Sequence, residues 1–277
     1  MMNGRFSLSK LFESLWVFFV VAFLLVPLVV VMISSFSPSG REYVQFPPSG
    51  FSLFWYTRIP KQFFMAFFNS IIIGLAASVI SMILGVSTAM SLVRGNYPGK
   101  GLLKAFFSSP LQIPLIVLGV IFLQYYVLVG RKLNLRLTDT YLGLILAHVI
   151  ITFPFVLGTV GSVLERFDTA LEEAALVHGA SKWSTFRRVT LPIITPGIYA
   201  GALYAFINSF GNVPVSLFLI GSNITTLPVE IFYALEFDFS PAILALSTLT
   251  VVFSVVLVQL IQRLTGFGLT KGVGGGA

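Results

Sequence analysis

Apolar residues in this chain come in runs about twenty residues long, separated by short segments that hold nearly all of the charge. Twenty helical residues rising about 1.5 Å each cover the roughly 30 Å hydrocarbon core of a bilayer, so runs of this length read as membrane-spanning helices. Bounded by charges or by Pro and Gly clusters, they place six spans at about 14–33, 66–92, 105–129, 141–162, 195–219 and 241–262. The pattern predicts an all-α membrane protein of six transmembrane helices. The first run, Leu15 to Ile33, follows Arg5 and Lys10 as the core of a signal peptide does. It is too long for such a core, and no small-residue cleavage site comes before Ser34-Ser35-Phe36, so it reads as a retained helix.

The basic residues orient the bundle. With the N-terminus inside, the cytoplasmic segments hold Arg5, Lys10, Arg94, Lys100, Lys104, Arg166, Lys182, Arg187, Arg188, Arg263 and Lys271. The outer segments hold Arg41, Arg58, Lys61, Arg131, Lys132 and Arg136. Eleven against six favours cytoplasmic N- and C-termini. The outer loop at 221–240 agrees, with Glu230, Glu236 and Asp238 and no Lys or Arg. The outer segment from about 34 to 65 carries Pro38, Pro47, Pro48 and Pro60 with Tyr43, Phe51, Phe54, Trp55 and Tyr56. It reads as an interfacial loop with a short amphipathic stretch, because Trp and Tyr favour the headgroup level. The tail from Gly272 to Ala277 has nothing to bury and reads as disordered.

Composition narrows the function. Apolar and aromatic residues make up 56% of the 277 and charged residues only 10%, against about 25% charged in an average soluble domain. Six spans and their connectors use the whole length, leaving no room for a soluble catalytic domain. Cysteine is absent, which removes disulfides, zinc-thiolate clusters and thiol nucleophiles. The net charge of +7 lies beside the ends of apolar runs rather than in a patch interleaved with exposed aromatics, so it points to membrane orientation and not to nucleic acid.

Between the fourth and fifth spans lies the one long inner segment, Glu165 to Pro192, holding eight of the charged residues of the chain. It must face water or a partner. From Asp168, an N-cap residue type, to His178 it consists of strong helix formers, and Gly179 suits the left-handed position that ends a helix. A second short helix from about Ser181 to Val189 is expected to end before Pro192. Two short helices meeting at a glycine make a compact knob.

Glu173-Ala174-Ala175, three residues, Gly179, nine residues and then Val189-x-Leu191-Pro192 resembles the EAA loop of permease subunits in binding-protein-dependent ABC importers of the type I fold. Val189 stands where that family usually has Ile. The resemblance covers about residues 65–262. It implies an N-terminal helix and outer loop at 1–65, a transmembrane core at 66–262 with its coupling loop at about 163–194, and a short cytoplasmic tail at 263–277. It also implies that Glu173, Ala174, Ala175, Gly179, Leu191 and Pro192 seat the knob in a groove of an ATPase subunit. Small Ala174 and Ala175 permit close approach, Glu173 can pair with a basic residue of the groove, and Gly179 sets the angle between the helices. The chain has no G-x-x-x-x-G-K-[S/T] phosphate loop, so ATP and Mg belong to the partner ATPase and the chain itself carries no cofactor.

Inside the membrane, Tyr204, Asn208, Asn212 and Ser216 recur every four residues with Ser209 beside them, which on a continuous fifth helix forms one polar face. Two readings stay open. Asn and Ser commonly bond across helix interfaces as glue, or the face lines a translocation path. Gly211 and Pro214 flank Asn212 and can break the helix locally, freeing backbone carbonyls for a passing solute. His148 reads either as a histidine bonded to a neighbouring helix or as a proton relay or substrate contact. His178 reads as part of the coupling surface, and Gln112, between Pro110 and Pro114, as a partner at a helix kink. Paired carboxylates, a nucleophile with its base and metal-spaced ligands are all missing from the sequence pattern, so nothing argues for catalysis or a metal.

Ser209 to Leu219, Thr226 to Phe232 and Asp238 to Leu249 together are similar to the second permease of spermidine/putrescine-type importers. That subfamily often has an acidic residue where this chain has Gly211 or Asn212, a charge that a cationic polyamine would use. The neutral face equally fits an opine, an amino-acid derivative or an aminophosphonate. The resemblance implies a second homologous permease, two ATPase subunits, a periplasmic or lipid-anchored solute-binding protein and the lipid of a bacterial inner membrane as partners. The competing readings are an ion-coupled secondary transporter using His148, which predicts transport without ATP, and a membrane scaffold, which leaves the polar face unexplained.

Overall fold

The computed structural model describes residues 8–38, 46–237 and 241–265. Arg5, Arg41, Tyr43, Asp238, Lys271 and the tail from Gly272 lie outside them. Every regular element among the described residues is helical. In chain order they are α1 (Leu8–Ser34), α2 (Lys61–Arg94), α3 (Lys100–Ser108), α4 (Leu115–Leu133), α5 (Tyr141–Glu165), α6 (Ala170–Val177), α7 (Lys182–Thr185), α8 (Leu191–Phe210), α9 (Ser216–Leu219), α10 (Leu227–Phe237) and α11 (Ala242–Thr265). Among the described residues, six stretches are long and apolar enough to cross a bilayer: Lys10–Ser34, Lys61–Arg94, Leu115–Leu133, Tyr141–Glu165, Lys182–Phe210 and Ala242–Leu260.

Three boundaries differ from the sequence pattern for identifiable reasons. The third span does not begin at 105. Pro110 and Pro114 break the apolar run, leaving α3 as a separate helix, a 3₁₀ turn at Ser109–Leu111, and an extended Pro114 that starts α4. The fifth span does not run over 195–219. It starts at Lys182, passes through a π turn at Phe186–Thr190 and stops at Phe210. The segment 221–240, expected to be an outer loop, contains the helix α10.

The chain forms two compact units. One comprises residues 1–60 and 233–256. Its α1 leaves large apolar side chains exposed along its length, among them Phe12, Phe18 and Phe23, as a lipid-facing helix does. The segment after α1 folds back on its end: Ser52 N–H donates to Phe36 O at 2.7 Å, Ser35 Oγ and Tyr56 OH lie 2.6 Å apart, and the Phe36 and Tyr56 rings are 5.3 Å apart. The expected amphipathic stretch is one 3₁₀ turn, Phe54–Thr57.

The other unit comprises residues 61–232 and 257–277. Helices α2, α5 and α8 pack against one another at its centre. Lipid is as apolar as leucine, so helices in a membrane associate through close packing of small residues rather than through burial of apolar surface. A Cβ on Gly85 would lie 2.7 Å from Val156 Cβ, and one on Gly201 would lie 2.8 Å from Val156 Cα. At one end, Ile73, Leu144, Ala147 and Ile151 pack with Leu118, Phe122 and Tyr126 of α4 and Val215 and Leu219. At the other, Ala89 and Leu92 pack with Val156, Val160, Leu164, Ile194 and Ala205. This second end also carries α3, α6 and α7.

Candidate functional site

The knob follows directly from local chemistry. Helix α5 ends at Glu165, and the Asp168 carboxylate accepts a hydrogen bond from Ala170 N–H at 3.0 Å, although the capping position itself belongs to Thr169. Glu172 and Glu173 in the first turn of α6 complement the positive end of its dipole. The helix closes with Ala180 N–H donating to Ala175 O at 3.0 Å and Gly179 N–H to Leu176 O at 2.9 Å, and Gly179 has φ +86°. This is the paired closure that a left-handed residue permits. Nothing lies within 4 Å of a Cβ built on Gly179, so glycine is needed there for its dihedral and not for space. Ser181 Oγ then accepts from Ser184 N–H at 3.2 Å and caps α7.

The second short helix does not end before Pro192. Helix α7, the π turn and α8 run on without a break, and Pro192, which has no N–H to give the ladder, follows directly on the π turn at Phe186–Thr190. Pro192 is exposed, while Leu191 is partly buried against Val156, Val160 and Ile194. Glu173 and Ala174 are exposed, Ala175 is half-buried, and the surface around them is apolar, with Leu171, Val177 and Trp183 exposed. The structure thus brings Glu173, Ala174 and Gly179 together on the knob and sets Leu191 apart as packing. Glu172 turns inward: its Oε1 accepts from Arg94 Nη2 at 2.6 Å and from the Thr190 hydroxyl.

The polar face does not survive as one stripe, because α8 stops at Phe210, two residues before Asn212. Tyr204 and Asn208 are exposed on α8, with Tyr204 stacked on Phe155 at 6.4 Å. Asn212 is buried, and its Oδ1 accepts from Val215 N–H at 2.9 Å and Ser216 N–H at 3.4 Å, capping α9. Ser209 and Ser216 are buried on either side of His148, at 2.6 Å from Nδ1 and 3.1 Å from Nε2. Hydroxyls both donate and accept, so both ring nitrogens are satisfied whichever carries the proton. Thr152 continues this network by donating to His148 O at 2.7 Å and meeting Ser81 Oγ at 2.8 Å. His148, Ser209 and Ser216 therefore join α5, α8 and α9. Asn208 and Asn212 instead line a cavity of about 180 Å³ with Pro110, Leu111, Ile113, Leu115, Ile151 and Phe155. Gln112, beside it, is exposed and ends the 3₁₀ turn with its N–H on Ser109 O at 2.9 Å.

Sequence reasoning missed a clip at the opposite end. Asp139, at φ 58° and buried, accepts from Asn223 N–H at 3.1 Å, Asn223 Nδ2 at 2.7 Å, Ile224 N–H at 3.0 Å and Arg136 Nη2 at 2.9 Å, and its own N–H donates to Leu219 O at 2.8 Å. Asn69 adds a second tie, donating to Thr225 O at 3.0 Å and accepting from Tyr141 OH at 2.6 Å. The only signal was one acid in a basic loop, which the count of Lys and Arg passes over.

Over residues 81–270 the chain matches the family described as binding-protein-dependent transport system inner membrane component. It is 31% identical over 264 residues to the spermidine/putrescine transport system permease protein PotC of Haemophilus influenzae, covering 95% of this chain and 98% of that one. It is 30% identical over 247 residues to PotC of Escherichia coli, covering 87% and 90%. It is 28% identical over 238 residues to the sulfate transport system permease protein CysT of Escherichia coli, covering 82% and 85%. Its fold resembles a chain of a bacterial ABC transporter involved in the import of the acidic polysaccharide alginate, with a TM-score of 0.70 at 15% identity over 95% of this chain and 98% of that chain. With six helices able to cross a bilayer and a match over most of its length, the chain belongs to the binding-protein-dependent inner membrane components and is a multi-pass permease subunit of an ABC importer.

Proposed function

We propose that this permease moves a small organic solute, polyamine-like, opine or amino-acid-derived, from a periplasmic or lipid-anchored binding protein to the cytoplasm by alternating access. Its bundle supplies half of a two-fold pore, a second homologous permease supplies the other half, and two ATPase subunits that bind ATP and Mg drive the pair. Residues 66–262 form the transmembrane core and 263–277 a short cytoplasmic tail, with both termini inside. The knob at Glu173, Ala174, Ala175 and Gly179 seats in the ATPase, since closure of an ATPase dimer can move membrane helices only through a rigid contact. The observation that carries the reading is the placement of Asn208 and Asn212 on a cavity beside the broken end of α8, while Ser209 and Ser216 are engaged by His148. Among the described residues each amide bonds only to nearby backbone: Asn208 Nδ2 donates to Tyr204 O at 2.9 Å, and Asn212 Oδ1 accepts from Val215 N–H at 2.9 Å. Irregular backbone at membrane depth is tolerated where it lines such a cavity. The relatives named for spermidine and putrescine, at 30–31% identity, favour an amine-bearing solute. The eight residues lining the cavity include no carboxylate, which favours a solute of low net charge at this half of the pore.

The test is uptake of radiolabelled putrescine, spermidine and amino-acid derivatives by proteoliposomes carrying the whole complex. Uptake should require ATP and the binding protein. Asn208→Leu should lower it at least about tenfold per assembled complex, the equivalent of about 1.4 kcal/mol of lost polar contact. Normal uptake from that variant removes Asn208 from the path, and uptake driven by a proton gradient without ATP favours the secondary transporter instead.

A further inference from the structure

The two adjacent glutamates at the start of α6 are used differently. Glu173 is exposed on the knob, while the Glu172 side chain is only 16% exposed and one of its oxygens holds both the Arg94 guanidinium, at 2.6 Å, and the Thr190 hydroxyl. Arg94 is the last residue of α2, and its guanidinium also lies 5.5 Å from the ring of Phe167 in the link between α5 and α6. Thr190 is fully buried and ends the π turn at the foot of α8. One carboxylate oxygen therefore ties α6 to two spans.

Other ties are few. No residue of α6 is buried, so apolar packing contributes little to its position. Its backbone path toward α8 runs through Gly179 at φ +86° and then through the π turn, a geometry found frequently at functional sites. A charge-assisted hydrogen bond in a partly buried setting is short and directional, which suits it to carry displacement where the backbone does not.

We propose that Glu172, held by Arg94 and Thr190, is the positioning residue through which displacement of α6 reaches α2 and α8. The inference rests on the reading of α6 as the ATPase contact. The chain has no cysteine, so thiols introduced into it and labelled before it is assembled with its partners carry the only nitroxides. Nitroxides at Ala170→Cys on α6 and Ile83→Cys on α2 report the joint by electron–electron distance measurement in the whole complex, nucleotide-free and trapped with ADP and vanadate.

With Glu172 and Arg94 intact, the two helices move together and the α6-to-α2 distance changes by less than about 2 Å between the two states. In Glu172→Gln and Arg94→Gln the distribution broadens and its mean shifts by more than that. The exchange Arg94→Glu with Glu172→Arg restores the narrow distribution at least in part. Single variants that keep the native distance in both states overturn the joint, and so does an exchange no better than the singles. Cross-linking from Ala174→Cys to the ATPase reads the underlying assumption separately. A cross-link with unchanged distances in the variants overturns the joint alone, and its absence overturns the ATPase contact and the joint together.

Discussion

Replacing Asp139 tests whether a single buried carboxylate holds the loop that follows α9. Asp139→Ala removes the acceptor for Asn223 N–H, Asn223 Nδ2 and Ile224 N–H and the partner of Arg136. These contacts are not equal. Ile224 is buried, so its N–H becomes an orphan at about 1–3 kcal/mol. Asn223 is exposed and regains water, which leaves roughly 0.5–1 kcal/mol for each of its two bonds. The side chain of Arg136 is 66% exposed, so its ion pair contributes at most about 1 kcal/mol. Holding alanine at the φ of 58° costs about 1–2 kcal/mol more. The local loss is about 3–8 kcal/mol. Asp139→Asn tolerates the same dihedral and keeps one acceptor oxygen, so it should lose only the Asn223 Nδ2 bond and the charge, about 1–1.5 kcal/mol. Hydrogen exchange read at the amides of residues 219–226 in the purified permease measures both. Exchange should accelerate at least about a hundredfold for alanine and about tenfold for asparagine, at about 1.4 kcal/mol per decade. Unchanged protection of the Ile224 amide in Asp139→Ala would refute the clip, and equal effects of the two variants would refute the division between dihedral and charge.

Gly179→Val should uncouple ATP hydrolysis from transport while the protein still reaches the membrane, because a β-branched residue does not readily adopt φ +86° and the knob would re-angle. Gly179→Asn, which tolerates that dihedral and meets open space, should transport nearly normally; equal uptake per ATP from the two variants contradicts the argument. Gly201→Leu should lower the thermal midpoint of the permease by the equivalent of about 1–3 kcal/mol, since its Cβ would meet Thr159 Oγ1 at 2.5 Å and Val156 Cα at 2.8 Å. Gly158→Leu, with nothing within 4 Å, is the matched control, and a similar loss there would show that close packing is not the cause.

The length and spacing of apolar runs alone determined that this chain crosses a bilayer six times, because the hydrocarbon core imposes one length on every helix and leaves irregular backbone no partner. The first helix of the knob and its stop at Gly179 were equally legible, whereas the second helix was not, since it runs on through the π turn into α8. Glu173, Ala174, Ala175 and Gly179 owe their arrangement to capping and to one positive dihedral, which are local effects. Tertiary structure decided matters in which a residue's role depends on distant neighbours. Period four put Tyr204, Asn208, Asn212 and Ser216 on one face, yet the end of α8 at Phe210 and the ring of His148 separate them into cavity lining, a cap and a buried hydroxyl. Leu191 reads as motif in sequence and in the fold is partly buried against the core, because the π turn carries the helix straight through Pro192. Glu172 was counted only as a charge, and the count of Lys and Arg passed over Asp139. Their partners stand 78 and 84 residues away in the chain, and a hydrogen bond over such a separation leaves no periodic trace; only the packing of α2, α5 and α8 brings its two ends together.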